Sequence, residues 1–158
     1  MDTDEPIKAL YVVRAAHARI AEAESAQRAA IEAARQAGVQ WRLIAAAVGM
    51  PQQSASRKFG PLARPQGKAD PATAVEAVAR IEVLHQAVLD AQLAEVMAIA
   101  AARAAGVTWQ AIADEVGMAQ PNAVVKYRPL VEAGREGAAV LLRSRWARAP
   151  RGGDGVGG

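Results

Sequence analysis

The 158-residue chain contains no cysteine, two histidines and only six aromatic side chains. Without thiols there is no disulfide and no thiolate to act as nucleophile or metal ligand, which fits a reducing cytoplasm. Two imidazoles with no further ligand beside them make a poor metal site, so His17 and His85 are expected as polar groups on a helix seam. From the sequence no histidine is expected to sit against a carboxylate as a general acid or base does, and no glycine loop follows a strand to cradle a phosphate. Enzymatic chemistry, a cofactor and a small-molecule ligand are therefore not expected. The N-terminal run MDTDEPIK is acidic and lacks the order of a signal peptide. No uninterrupted apolar run has the length of a membrane span, so a cytoplasmic, nucleoid-associated protein is expected and a membrane partner is not.

What is present is alanine, with valine, leucine and isoleucine behind it, and 52% of the residues are hydrophobic. That is enough to bury a core. Alanine is the best helix former, while β-branched and aromatic residues are too sparse for a sheet. The composition predicts an all-α fold.

Charge is mild overall, +3, but unevenly distributed. Residues 33–68 carry Arg35, Arg42, Arg57, Lys58, Arg64 and Lys68 and no acid, whereas residues 69–102 carry five acids and one base. A basic segment inside a nearly balanced chain points to a localised anionic partner.

The chain also repeats itself. An offset of 68 aligns residues 33–62 with 101–130 without a gap, and 17 of the 30 positions are identical. The identities include Ala33, Ala34, Arg35, Gly38, Val39, Trp41, Ile44, Ala45, Val48, Gly49, Met50, Ala55 and Lys58. Upstream the match is weaker. Leu10 aligns with Val78, Val13 with Ile81, His17 with His85, Ile20 with Val88 and Ile31 with Ile99, in steps of three and four that mark one helix face.

The chain is thus predicted as an internally duplicated all-α protein. Residues 1–64 form one half, 65–70 a linker and 71–130 the second half. Each half consists of a long helix (roughly 7–37 and 72–105) followed by two short ones. A further short helix over 131–148, with Val140, Leu141 and Trp146 to bury, and a disordered Gly-rich tail over 149–158 complete the chain. Asp70-Pro71 is a helix start, Thr108 an N-cap, and Gly38 and Gly106 left-handed helix ends.

Within each copy the first short helix is expected from Trp41 (Trp109) to Val48 (Val116). The second runs from near Pro51 (Gln120) to Phe59 (Tyr127). Small Ala45 and Ala113 allow a second helix to cross closely, Gly49 and Gly117 permit the tight turn, and Ala55 and Ala123 are the matching small contacts. Trp41 and Phe59 would wedge the pair onto the long helix.

The segments AGVQWRLIAAAVGMPQQSASRKF and AGVTWQAIADEVGMAQPNAVVKY resemble the small helix-turn-helix domains of bacterial, especially actinobacterial and phage, DNA-binding proteins. In that family a Gly-Val-Ser-Trp start, an Ile-Ala centre and a Leu-Gly-Val turn precede a recognition helix ending in Arg-Phe. The resemblance implies double-stranded DNA as partner, with the second short helix in the major groove and basic groups on phosphates. It extends over residues 37–59 and 105–127 and is silent on the operator, the direction of regulation and any effector.

With Ala55 at the buried centre of the second short helix, a 100° step puts Pro51 and Phe59 inside and Gln53 and Arg57 outside, flanked by Ser54 and Ser56. Arginine takes both acceptors of guanine and glutamine pairs with adenine. The second copy presents Pro121 and Val125 there, flanked by Asn122 and Val124, with Asn122 suited to adenine and Val125 to a thymine methyl. Arg42, Lys58, Arg64, Lys68, Lys126 and Arg128 are the phosphate candidates. Asp114 and Glu115 replace Ala46 and Ala47, where negative charge disfavours DNA. The first copy is predicted as the main base reader.

Side-by-side packing of the long helices within one chain would set the two units about one DNA turn, roughly 34 Å, apart, with His17 facing His85. The rival arrangement is a homodimer through the long helices. A rival function is a protein-interaction adaptor, antitoxin-like or anti-repressor, in which the helix-turn-helix units are contact surfaces.

Overall fold

The structure, a computed structural model, describes residues 3–60 and 67–148. Among these residues every regular element is helical: α1 (Glu5–Gln36), α2 (Trp41–Ala47), α3 (Gln52–Phe59), α4 (Pro71–Ala104), α5 (Trp109–Glu115) and α6 (Gln120–Ala147). The predicted tail, together with Arg64 and the first residues of the linker, lies outside the described residues.

Local signals set the helix ends. Asp70 Oδ1 accepts the Thr73 amide at 2.7 Å, the N-cap contact that starts α4, and this amide holds the Asp70 carboxyl below its usual range. Thr108 Oγ1 accepts from the Ala111 amide at 3.1 Å, whereas Gln40 at the matching position makes no side-chain cap. At the C-termini, Gly38 and Gly106 take φ of 91° and 88°, and Gly49 and Gly117 take 64° and 69°. Each is followed by a residue whose amide reaches back into the last turn, as Met50 does to Ala45 and Met118 to Ala113.

The chain divides into two compact units that do not follow the sequential halves. One unit combines residues up to Glu22 with Leu89–Leu142, and the other combines Ala23–Val88 with the residues from Arg143 on. Each long helix therefore contributes one part to each unit.

In the first unit, Val13, Val96, Ile99, Ile112, Ala113, Ala123, Tyr127 and Leu130 are buried. Arg14 donates two hydrogen bonds to the Glu115 carboxylate, at 2.8 and 3.0 Å. His17 Nδ1 lies 2.5 Å from Glu95 Oε2, with Glu95 almost fully enclosed.

In the second unit, Ile31, Val39, Ile44, Ala45, Val48, Ala55, Phe59 and Ile81 are buried. Trp146 is buried too, with the His85 ring edge-on at 4.6 Å. Gln27 Nε2 donates to His85 Nδ1 at 2.8 Å. The two histidines thus do not face each other as the seam argument expected. Each finds a hydrogen-bond partner from the other long helix, Glu95 for His17 and Gln27 for His85. These partners are themselves related by the offset of 68.

Burial drives the His85 pKa down to about 4, with the nearby Lys58 charge adding to the effect. The folded value lies below that of the unfolded chain, so the unfolded state binds more protons between about pH 4 and 6.5. Stability is therefore expected to fall on acidification, by about 2 kcal/mol between pH 7 and pH 5 from this group. Urea titrations at the two pH values would show it as a difference between wild type and His85→Gln, which has nothing to protonate. An identical pH dependence in both would refute the assignment.

Three sequence expectations need correction. α6 does not stop at Tyr127 but runs to Ala147, with Pro129 inside it and a single break at Gly134, where φ is 75° and ψ 178°. The expected separate C-terminal helix is the part after this break. Its buried face is Ala138, Leu142 and Trp146, four residues apart, while Val140 is exposed and Leu141 only half-buried. Finally, α4 is by length and composition apolar enough to cross a membrane. Ile81, Val88, Leu89, Val96 and Ile99 on it are packed inside the two units, and Asp90 and Glu95 interrupt its apolar sequence.

Candidate nucleic-acid interface

α3 packs on α2. Its inner face is Ala55 and Phe59, both buried, and its solvent face carries Gln53 and Arg57, both exposed, with Ser54 and Ser56 half-buried beside them. Gln53 and Arg57 are four residues apart and so project from the same side of the helix, one turn from each other. Pro51 departs from the helical-wheel expectation and is exposed. It is the residue before the helix, with φ −59° and ψ 145°, so the 100° step does not apply to it.

The basic residues of this segment fall into two groups. Arg35 and Lys58 are engaged with the protein itself. Arg35 Nη1 donates to the Val39 carbonyl at 2.7 Å, and its guanidinium lies 4.6 Å from the Trp41 ring centre. Arg103, its counterpart, does the same with the Val107 carbonyl at 2.9 Å and the Trp109 ring at 5.1 Å. These arginines clamp the turn after each long helix and fix the tryptophan that opens the next one. Identity at Arg35, Val39 and Trp41 was the sequence signal for this clamp, since all three recur at the offset of 68.

Lys58, a phosphate candidate, holds its ammonium 4.0 Å from the Trp146 ring centre and 5.5 Å from that of Phe59. Partial desolvation lowers its pKa, with Glu24 opposing and Arg28 reinforcing the shift. Its charge is therefore drawn onto the aromatic surface instead of standing clear of it.

The second group is Arg42, Arg57 and Lys68. All three are exposed, and no ion pair or hydrogen bond holds them among the described residues. No acidic residue occurs between Ala33 and Lys68 to oppose them.

The equivalent surface on α6 differs. Pro121, Asn122 and Val125 are exposed, Val125 at 76%, with Val124 half-buried. Lys126 is exposed with its ammonium 5.0 Å from the Tyr127 ring centre. Arg128 donates to Glu132 at 3.0 Å one turn along. On α5, Asp114 accepts from Gln110 at 2.9 Å and Glu115 is neutralised by Arg14. The Arg14–Glu115 pair has no counterpart in the first copy, where the corresponding residues are Glu82 and Ala47. No group of three His, Asp or Glu residues that could hold a metal ion occurs among the described residues. Compared with protein families, curated proteins and solved structures, the chain matches none.

Proposed function

We propose that this chain is a sequence-specific double-stranded DNA-binding protein, a transcriptional regulator of the bacterial cytoplasm. In this reading α2–α3 and α5 with the start of α6 are two helix-turn-helix units of an internally duplicated chain. The first unit is the main base reader. The observation that carries the proposal is the pair Gln53 and Arg57, exposed one turn apart on α3 above a buried Ala55 and Phe59. Long hydrogen-bonding side chains on the outer face of a short helix suit major-groove base edges, guanine for Arg57 and adenine for Gln53.

Ser54 and Ser56 flank the reading pair, and Arg42, Lys68 and Arg64 supply phosphate contacts that set the register. Lys58 contributes a weaker one, because its ammonium is shared with Trp146. In the second unit Asn122 and Val125 touch bases and Lys126 and Arg128 the backbone, with fewer polar atoms available for recognition.

Selection of bound sequences from a random DNA pool, followed by a salt titration with the selected and a scrambled duplex, tests the proposal. A specificity ratio of about 10³ or more supports an operator binder. A steep salt slope without sequence preference would instead mean architectural binding. Absence of binding would favour the second reading, a protein-interaction adaptor. The exposed Val125 beside Pro121, where a DNA reader needs donors and acceptors, is the observation that keeps this alternative.

A further inference from the structure

Trp146 joins two parts of the chain that are each basic and free of acids. Residues 33–68 hold no Asp or Glu, and neither do residues 137–148, which carry Arg143, Arg145 and Arg148 within three residues of Trp146. All three arginines are exposed, while Trp146 is buried and the Lys58 ammonium of α3 lies 4.0 Å from its ring centre. The end of α6 therefore lies beside the end of α3, within the unit that also holds Ala23–Val88.

A fourth arginine reaches the same place from α1. Arg28 is exposed, and its guanidinium lies 6.0 Å from the Phe59 ring centre. The Lys58 ammonium is 5.5 Å from that same centre. Arg28 and Arg143 have no ion pair or hydrogen bond among the described residues. Of the acids, Glu24 is near enough to act on Lys58. Like charges gathered in this way repel one another, and an anion seated among them relieves the repulsion.

The position suits a DNA backbone. On α3, Lys58 follows Arg57 by 100° and so lies on the flank between the outer face and Phe59. A recognition helix in the major groove has phosphates along its flanks. The repeat provides an internal comparison. At the offset of 68, Arg28 corresponds to Val96, which is buried, and Trp146 with its arginines lies beyond the aligned residues. The scaffold shared by the copies does not require the cluster, which stands in the copy that carries Gln53 and Arg57.

We infer that Arg28, Arg143, Arg145 and Arg148 form a second phosphate-binding strip, which extends the contact of α3 along the backbone of the same duplex. Trp146 is the positioning residue. Its ring draws the Lys58 ammonium back, and the same contact brings the arginines of α6 to the flank of α3. The inference rests on the DNA-binding reading of α3 and adds Arg28 and the end of α6 to it.

The test measures binding of the full chain to the selected and scrambled duplexes between about 50 and 200 mM salt. Arg28→Gln with Arg143→Gln removes two unpaired charges from the strip. The control, Arg19→Gln with Arg135→Gln, removes two exposed charges from the other unit. The strip variant is expected to bind both duplexes about 10-fold more weakly and to lower the salt slope by about 2, with helical circular dichroism unchanged. The control is expected to lower the slope by less than about 0.5. An unchanged slope in the strip variant would overturn the inference and leave α3 as the reader. A lower Tm with that unchanged slope would mean that the arginines serve only the helix end. Equal falls in strip variant and control would also overturn it, since net charge alone would then explain the loss. A wild type that binds neither duplex would remove the DNA-binding reading itself, and the strip with it.

Discussion

Replacing Arg57 with alanine is expected to weaken binding to the selected DNA site by about 10- to 100-fold and to relax base preference at one position. The side chain is exposed and unpaired among the described residues, so its removal leaves no buried partner unsatisfied and the fold should be unaffected. The loss belongs to the interface alone. A guanidinium that bridges both acceptors of a guanine contributes about 1–3 kcal/mol of discrimination, which is the source of the expected range.

Val125→Ala at the corresponding position of the second copy is expected to change affinity by less than about threefold, because it removes only an apolar contact. Both variants belong in one titration at fixed salt, since phosphate contacts shift every affinity with ionic strength. Equal losses in the two would mean that the copies share the work, and the assignment of α3 as main reader would fall. A loss for Arg57→Ala that is the same on selected and scrambled DNA would make Arg57 a phosphate contact.

Gly38→Ala is expected to destabilise the protein by about 3 kcal/mol, while Gly106→Ala should cost about 1 kcal/mol. The two glycines have nearly the same left-handed φ, 91° and 88°, so the backbone penalty is common to both. They differ in what surrounds them. A Cβ at Gly38 would lie 2.3 Å from the Gly67 carbonyl oxygen and 2.7 Å from the Ala69 nitrogen, whereas a Cβ at Gly106 meets nothing within 4 Å. The obstacle at Gly38 is backbone, which cannot rotate away as a side chain would. The Gly38 carbonyl also accepts the Ala69 amide at 3.3 Å, a contact that any shift of this segment would break.

In thermal unfolding the expected difference is a fall in Tm of about 10 °C for Gly38→Ala and about 3 °C for Gly106→Ala. Similar falls for both would mean that the chain near Gly67 moves aside without cost. The identity of these glycines in the repeat conceals this difference. One caps a helix, and the other caps a helix and seats the returning chain.

Local chemistry accounts for what was legible in the sequence. Helix starts at Asp70 and Thr108 and turns at Gly38, Gly49, Gly106 and Gly117 depend on hydrogen bonds within three to five residues. Buried Ala45, Ala55, Ala113 and Ala123 followed from spacing and size. The outward placement of Gln53, Arg57 and Val125 followed from helical periodicity once Ala55 and Ala123 were taken as the inner face. Periodicity failed where the residue was not helical, at Pro51. It also failed where several apolar residues competed for burial, as on α6, where Trp146 is buried as expected but Leu142 is inside in place of Val140 and Leu141.

The sequence by itself determined an all-helical chain with its helix ends other than that of α6, its turns and two unequal outer faces. These are consequences of backbone hydrogen bonding and the 3.6-residue period, and both act at short range. Only the tertiary structure decided how each charge is used. Whether Lys58 stands free depends on Trp146, whether Glu115 opposes an anion depends on Arg14, 101 residues away, and whether His85 titrates depends on its burial and on the Lys58 charge. Composition counts all of these as charges or titratable groups. Their availability is set by partners brought from distant parts of the chain, where burial and pairing change what a group of fixed chemistry can do.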